Sequence, residues 1–173
     1  MTRPSTLAEV ARRSDSLESF GRNLQDWLHE LGRMSSRRQV QQAVAKVPRT
    51  LAADFPQGDV ADAYLAAYAD LASVRAGVVP PEWAFAPARV LARPWFAEPT
   101  NNRENLRWAF ILTPLAFKRR NLFAARVDLP LRLRRGRPAI PAAQKRLANA
   151  ERQRRFRARR KAELQRLRRI AGE

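Results

Sequence analysis

Any chemistry of this chain rests on arginine. Between Arg152 and Lys161 seven cations fall within ten residues, namely Arg152, Arg154, Arg155, Arg157, Arg159, Arg160 and Lys161, with Glu151 and Glu163 the nearby acids. Upstream, Arg132, Arg134, Arg135 and Arg137 crowd into six residues, and Lys145 and Arg146 stand between the two groups. A guanidinium presents five donors in a planar fork that matches a phosphate, and it stays charged at ordinary pH. On a helix such a run repels itself at i,i+3 and i,i+4. Beside a phosphate backbone each cation displaces condensed counterions, so the segment gains by meeting a polyanion. A solvated charged helix, or a tail that binds acidic proteins or ribosomes, would have the same composition.

Within the upstream group, Arg135-Gly136-Arg137-Pro138 resembles the core of an AT-hook, the short motif that lies in the minor groove of A/T-rich DNA. Glycine lets the backbone approach the groove floor, and the flanking arginines extend into a narrow, strongly negative groove. Proline keeps the exit extended. The stretch from Asn149 to Arg160 resembles the basic region of basic-leucine-zipper proteins, which implies that Asn149 and Arg157 face bases in a major groove. It departs from that family at Arg152, where a small or polar residue is usual. After Ala162 only Leu164, Leu167 and Ile170 remain, too few for a zipper of several heptads.

Catalytic chemistry finds little support. The single histidine, His29, lies beside Leu28 and Leu31 with no second imidazole and no cysteine to join it. No phosphate-binding glycine loop, dinucleotide fingerprint or zinc-ligand spacing occurs, so neither a cofactor nor a metal is expected, and the chain reads as a non-enzyme. Asp59, Asp62 and Asp70 sit on or near one helix, where capping and solvation account for them. Trp83, Phe85, Trp95, Phe96, Trp108, Phe110, Phe117 and Phe123 read as core, with base stacking the alternative. Lys118, Arg119 and Arg120 follow Phe117 and would extend the basic face onto the body.

The elements that must position these residues are mainly helical. Thr6-x-x-Glu9 has the form of a capping box and opens a short helix to about Arg13. Ser16 opens a second, in which Leu17, Phe20, Leu24, Trp27, Leu28 and Leu31 form one stripe and Gly32 supplies a stop. Ser35 or Ser36 caps a third, carrying Val40, Ala43, Val44 and Val47 up to Pro48. After a loop over residues 54–58, Asp59 caps a fourth with Ala61, Tyr64, Leu65, Tyr68, Leu71 and Ala72 at helical period, closed by Arg75 and Gly77. Five prolines from Val78 to Pro99 predict an ordered but irregular wrap. Asn101 or Asn102 caps the next helix, and Thr113-Pro114 reads as an N-cap followed by proline at the first helical position, opening a short helix that ends near Asn121. Val127, Leu129, Leu131 and Leu133 alternate with polar residues and Pro130, as an edge strand or extended arm would. Pro141 opens a last long helix to about Ile170.

The charge of +18 is unevenly spread: residues 1–116 hold 14 Lys and Arg against 12 Asp and Glu, and residues 117–173 hold 20 against 4. The expected organisation is a small irregular helical body over residues 1–130, a hook-like linker over 131–141 and a basic helical tail over 142–173. The amino-terminal residues lack the apolar stretch of a secretory signal, and the apolar run from Trp108 to Phe117 is far shorter than the roughly 20 residues a spanning helix needs. A cytoplasmic, nucleoid-associated protein without a membrane partner is therefore expected.

Several segments resemble a group of bacterial proteins, some encoded in toxin-antitoxin-like loci. These are Phe20-Gly21 through Leu31, Asp62 through Ala72, Pro81-Glu82-Trp83, Pro94-Trp95-Phe96 and Thr113-Pro114 through Asn121. The resemblance implies an antitoxin or small transcriptional regulator, its helical body on a cognate toxin or other protein and its tail on duplex DNA, A/T-rich by preference. The alternative is a structural protein associated with RNA or the ribosome.

Overall fold

The computed structural model describes residues 2–99, 101–131, 133 and 142–170, and it divides into a compact unit ending at Arg134 and a second unit from Arg135 onward. The first unit is a small, mainly helical domain.

Its opening helices follow local capping chemistry. Helix α1 (Leu7–Arg13) starts at Thr6, whose hydroxyl accepts the Glu9 N–H. The Glu9 carboxylate bonds the Ser5 N–H rather than that of Thr6, so the expected reciprocal box is shifted by one residue. Helix α2 (Leu17–Arg33) is capped by Ser16 and α3 (Arg37–Ala45) by Ser36, each in a two-way box. The α2 stripe is seated as expected, with Phe20, Leu24, Trp27, Leu28 and Leu31 all buried. Gly32 is not a stop: α2 continues to Arg33, and a Cβ at position 32 would lie 3.4 Å from Pro130. Its small size lets the later chain pass close over the helix.

Helix α4 (Gly58–Ala76) is the centre of the domain. The expected single apolar stripe understates it, because alanines, Leu65, Asp62, Asp70 and Ser73 are buried around most of its girth. Helices α2 and α3 and the segments that follow α4 pack against it. Its start also differs from expectation. Asp59 lies inside the first turn, while Gln57 takes the cap position at φ 64° with no side-chain cap bond. The end is as read: Gly77 adopts φ 66°, Gly77 N–H bonds Val74 O, and Val78 N–H bonds Ser73 O, the double bond pattern that closes a helix on glycine.

The proline-rich wrap is ordered, as expected. It forms two 3-10 turns, Glu82–Phe85 and Pro87–Arg89, before strand β1 (Trp95–Phe96). Strand β1 pairs in parallel with β2 (Leu122–Phe123), in register Trp95 to Leu122 and Phe96 to Phe123. Between them run α5 (Arg103–Leu112), capped by Asn102, and the one-turn α6 (Leu115–Lys118). Thr113 is not the N-cap of α6. Its hydroxyl donates to Ala109 O and accepts the Ala124 N–H, tying the end of α5 to the chain beyond β2. The alternating segment after β2 is the expected arm, since Val127, Leu129, Leu131 and Leu133 all pack on the core. The domain therefore keeps Leu131 and Leu133, which sequence had placed in the linker.

Candidate nucleic-acid interface

In the second unit α7 runs from Ala142 to Ile170, 29 residues and about 43 Å at the 1.5 Å rise of an α-helix. Arg146, Asn149, Arg152, Arg154, Arg155, Arg157, Arg159, Arg160 and Lys161 are all exposed on it. Lys145 is also within α7. The remaining expected contacts, Arg132, Arg134, Arg135, Gly136, Arg137 and Pro138, lie outside the described residues.

Helical geometry sorts these side chains. Residues four apart share a face, so Asn149, Gln153 and Arg157 form one row and Arg152, Phe156 and Arg160 the row beside it. Sequence reasoning named Asn149 and Arg157 but passed over Gln153, which lies between them, and Phe156, which is 65% exposed among guanidiniums. The spacing alone could have found both. Arg154, Arg155 and Arg159 lie on other sides, so positive charge surrounds most of the helix. Among the described residues one ion pair falls on α7, Arg155 to Glu151 at 2.6 Å.

The body contributes less charge to such a surface than expected. Arg119 is exposed and Lys118 half-buried, but Arg120 is 1% exposed and held by Asp70 at 3.1 Å, with further bonds to the Ala116 and Ala84 carbonyls. It is an internal tie. Asp62 and Asp70 are likewise not solvated. Asp62 accepts the Leu51 and Ala52 N–H groups and pairs with buried Arg89, whose other nitrogen bonds Pro48 O and whose guanidinium lies 5.6 Å from the Trp83 ring centroid. Burial pushes the Asp62 carboxyl up from its ordinary value, against the opposing pull of the Leu51 N–H and the Arg89 charge. Both aspartates thus organise the core through a buried arginine each.

The aromatic residues divide. Trp83 and Phe117 are buried, and Trp95, Phe96 and Phe123 are half-buried. Phe85, Trp108 and Phe110 are about half exposed, which corrects their assignment to the core. Phe110 leans edge-on against Phe123 and Phe96, with ring centroids 4.8 and 5.8 Å away. His29 is exposed on α2.

Among the described residues no group of three His, Cys, Asp or Glu side chains could hold a metal ion, and no helix is long and apolar enough to cross a membrane. The chain matches no family model, no curated protein and no solved structure.

Proposed function

We propose that this chain is a DNA-binding protein, a transcriptional regulator or antitoxin component, that holds duplex DNA through its carboxy-terminal cations and has no catalytic role. The observation that carries the reading is the distribution of charge around α7 rather than along one side of it. A flat acidic surface can neutralise only the side it touches. A helix lying in the B-form major groove, about 12 Å wide, has phosphates on both walls and bases beneath it. Arginines on several faces then find partners together, while the Asn149, Gln153 and Arg157 row carries the side chains suited to base edges.

Duplex RNA fits less well, because its deep, narrow major groove does not admit a helix. Arg135 and Arg137 supply the minor-groove probes and hence a preference for A/T-rich sites, with Arg132 and Arg134 ahead of the hook and Lys145 and Arg146 early in α7 as phosphate contacts. The helical body carries the protein partner, and the site of action is the cytoplasmic nucleoid.

The decisive measurement compares the full chain with a chain ending at Arg134, by fluorescence anisotropy on labelled duplex across a salt series. The full chain should bind with a steep dependence on log salt, and the shortened one should lose most of its affinity. Equal binding by the two, or displacement of A/T-rich duplex by structured RNA at equal charge concentration, defeats the reading in favour of an RNA- or ribosome-associated protein.

A further inference from the structure

Helix α5 is held to the domain by little of its own surface. Ala109 is its only buried residue, while Trp108, Ile111 and Leu112 are each half exposed or more, and Leu115 at the start of α6 is 62% exposed. Positions 108, 111 and 112 follow the i, i+3, i+4 spacing of a core-facing stripe, while Leu115 comes after the extended Thr113 and Pro114 that end α5. Here the stripe faces outward. Clustered side chains of this size exceed the scattered apolar exposure normal for a monomer, and such patches mark interaction sites.

The charges around the stripe select its occupant. Arg103 and Arg107 precede Ile111 at four-residue steps along α5, and both are exposed. Glu104 is the acid among them. A second copy of the chain would bring the same excess of cations, two against the one acid, to the interface. A lipid surface would have to take Glu104 with it, since that carboxylate lies on the same helical row as Trp108 and Leu112. A protein helix with an apolar stripe and acidic flanks meets all of these groups, matching the cations and leaving one position for a base opposite Glu104.

We propose that the outer face of α5 is the docking surface for an acidic amphipathic helix of a partner protein. The surface belongs to the body alone, so it neither requires nor excludes DNA binding by the tail.

The test uses the full chain and three synthetic helical peptides: one of Leu and Glu with an apolar stripe, one in which Ser replaces Leu at the same charge, and one in which Lys replaces Glu. Because α7 attracts any acidic peptide, the readout is the ratio of the Leu/Glu to the Ser/Glu affinity. That ratio should be about tenfold or more, and the Leu/Lys peptide should bind weakest. The double change Trp108→Ser with Ile111→Ser should bring the ratio to about one while leaving Ser/Glu binding and DNA binding unchanged. Arg103→Glu with Arg107→Glu, which spares the apolar stripe and provides the test if the first variant folds poorly, should weaken Leu/Glu binding about tenfold. A ratio near one in the unaltered chain overturns the proposal, as does a ratio that survives the Trp108 and Ile111 changes. So does a dimer seen by sedimentation that these changes dissolve, or binding to phosphatidylglycerol vesicles that they abolish. DNA affinity, measured in parallel, separates any of these results from failure of the DNA-binding reading.

Discussion

Arg120 reaches from the end of α6 to Asp70 on α4, Nη1 to Oδ2 at 3.1 Å, with both side chains 2% exposed. Fifty residues of chain separate the partners, and the same guanidinium also caps the Ala84 carbonyl of the first 3-10 turn. The contact therefore joins the central helix, the proline-rich wrap and, through the Ala116 carbonyl, α6 at one point. Its energy is asymmetric. A buried pair is worth little net against an apolar replacement, but losing Arg120 leaves the buried Asp70 with only the exposed Arg119, 3.9 Å away. Arg120→Ala should cost about 3–5 kcal/mol in urea unfolding followed by tryptophan fluorescence. The double change Arg120→Met with Asp70→Leu should recover most of that loss. Single and double variants of equal stability would show that the pair does not organise the core.

Two glycines are expected to respond in opposite directions to the same added methyl group. At Gly58 a Cβ would come within 1.9 Å of the Leu51 carbonyl oxygen, a backbone atom that cannot yield without moving the loop. Gly58→Ala should therefore destabilise the domain by about 3 kcal/mol, near the upper end of ordinary overpacking. Gly21, in the interior of α2, has nothing within 4 Å of the added carbon. Gly21→Ala should raise stability by about 0.5–1 kcal/mol, the usual gain from replacing glycine inside a helix. Thermal midpoints shifting the same way in both variants would contradict the packing at Gly58.

Acid sensitivity at the amino terminus has a definite sign. The Ser5 N–H at 2.7 Å, and less strongly its hydroxyl, hold the Glu9 carboxyl below its ordinary value of 4.5. A carboxylate whose folded value is depressed stabilises the fold fully above its unfolded value, and that contribution disappears as pH falls through the folded value. The stability difference between the unaltered chain and Glu9→Gln should therefore be constant near neutrality and shrink below about pH 4.5. A difference that grows on acidification would place the proton on the wrong side.

The features legible in sequence were those set within a few residues. Thr6, Ser16, Ser36 and Asn102 cap their helices because a side-chain oxygen two or three residues ahead of an N–H needs no tertiary help. Gly77 ends α4 for an equally local reason, its positive φ. What escaped depended on distant chain. Asp62 read as a solvated carboxylate because its partner, Arg89, lies 27 residues on, and Arg120 read as part of a basic run because nothing nearby marks Asp70 as its acceptor. Gly58 reads as a loop residue, since nothing beside it in sequence marks the Leu51 carbonyl that its missing side chain accommodates. Trp108 was assigned to the core by composition, yet the face of α5 that turns inward carries Ala109. For the candidate interface, exposure on α7 accords with the charge clustering, while the Gln153 and Phe156 positions follow from helical rows that counting cations does not reveal.

The cations of the tail should separate into two kinds by salt and sequence dependence. Arg154, Arg155 and Arg159 are exposed on sides of α7 away from the row of Asn149, Gln153, Arg157 and Lys161, where phosphates would meet them. Changing all three to Gln should weaken binding on every duplex alike and flatten the slope of log affinity against log salt by about 0.9 per lost contact, roughly 2.7 in all. Arg135→Ala with Arg137→Ala should instead erase the preference for A/T-rich over G/C-rich duplex while leaving strong, unselective attachment by the tail. If the hook variant loses affinity equally on both duplexes, Arg135 and Arg137 act as two more phosphate contacts and the minor-groove assignment fails. If the triple variant keeps the parent slope, phosphate neutralisation by α7 is not what holds the DNA.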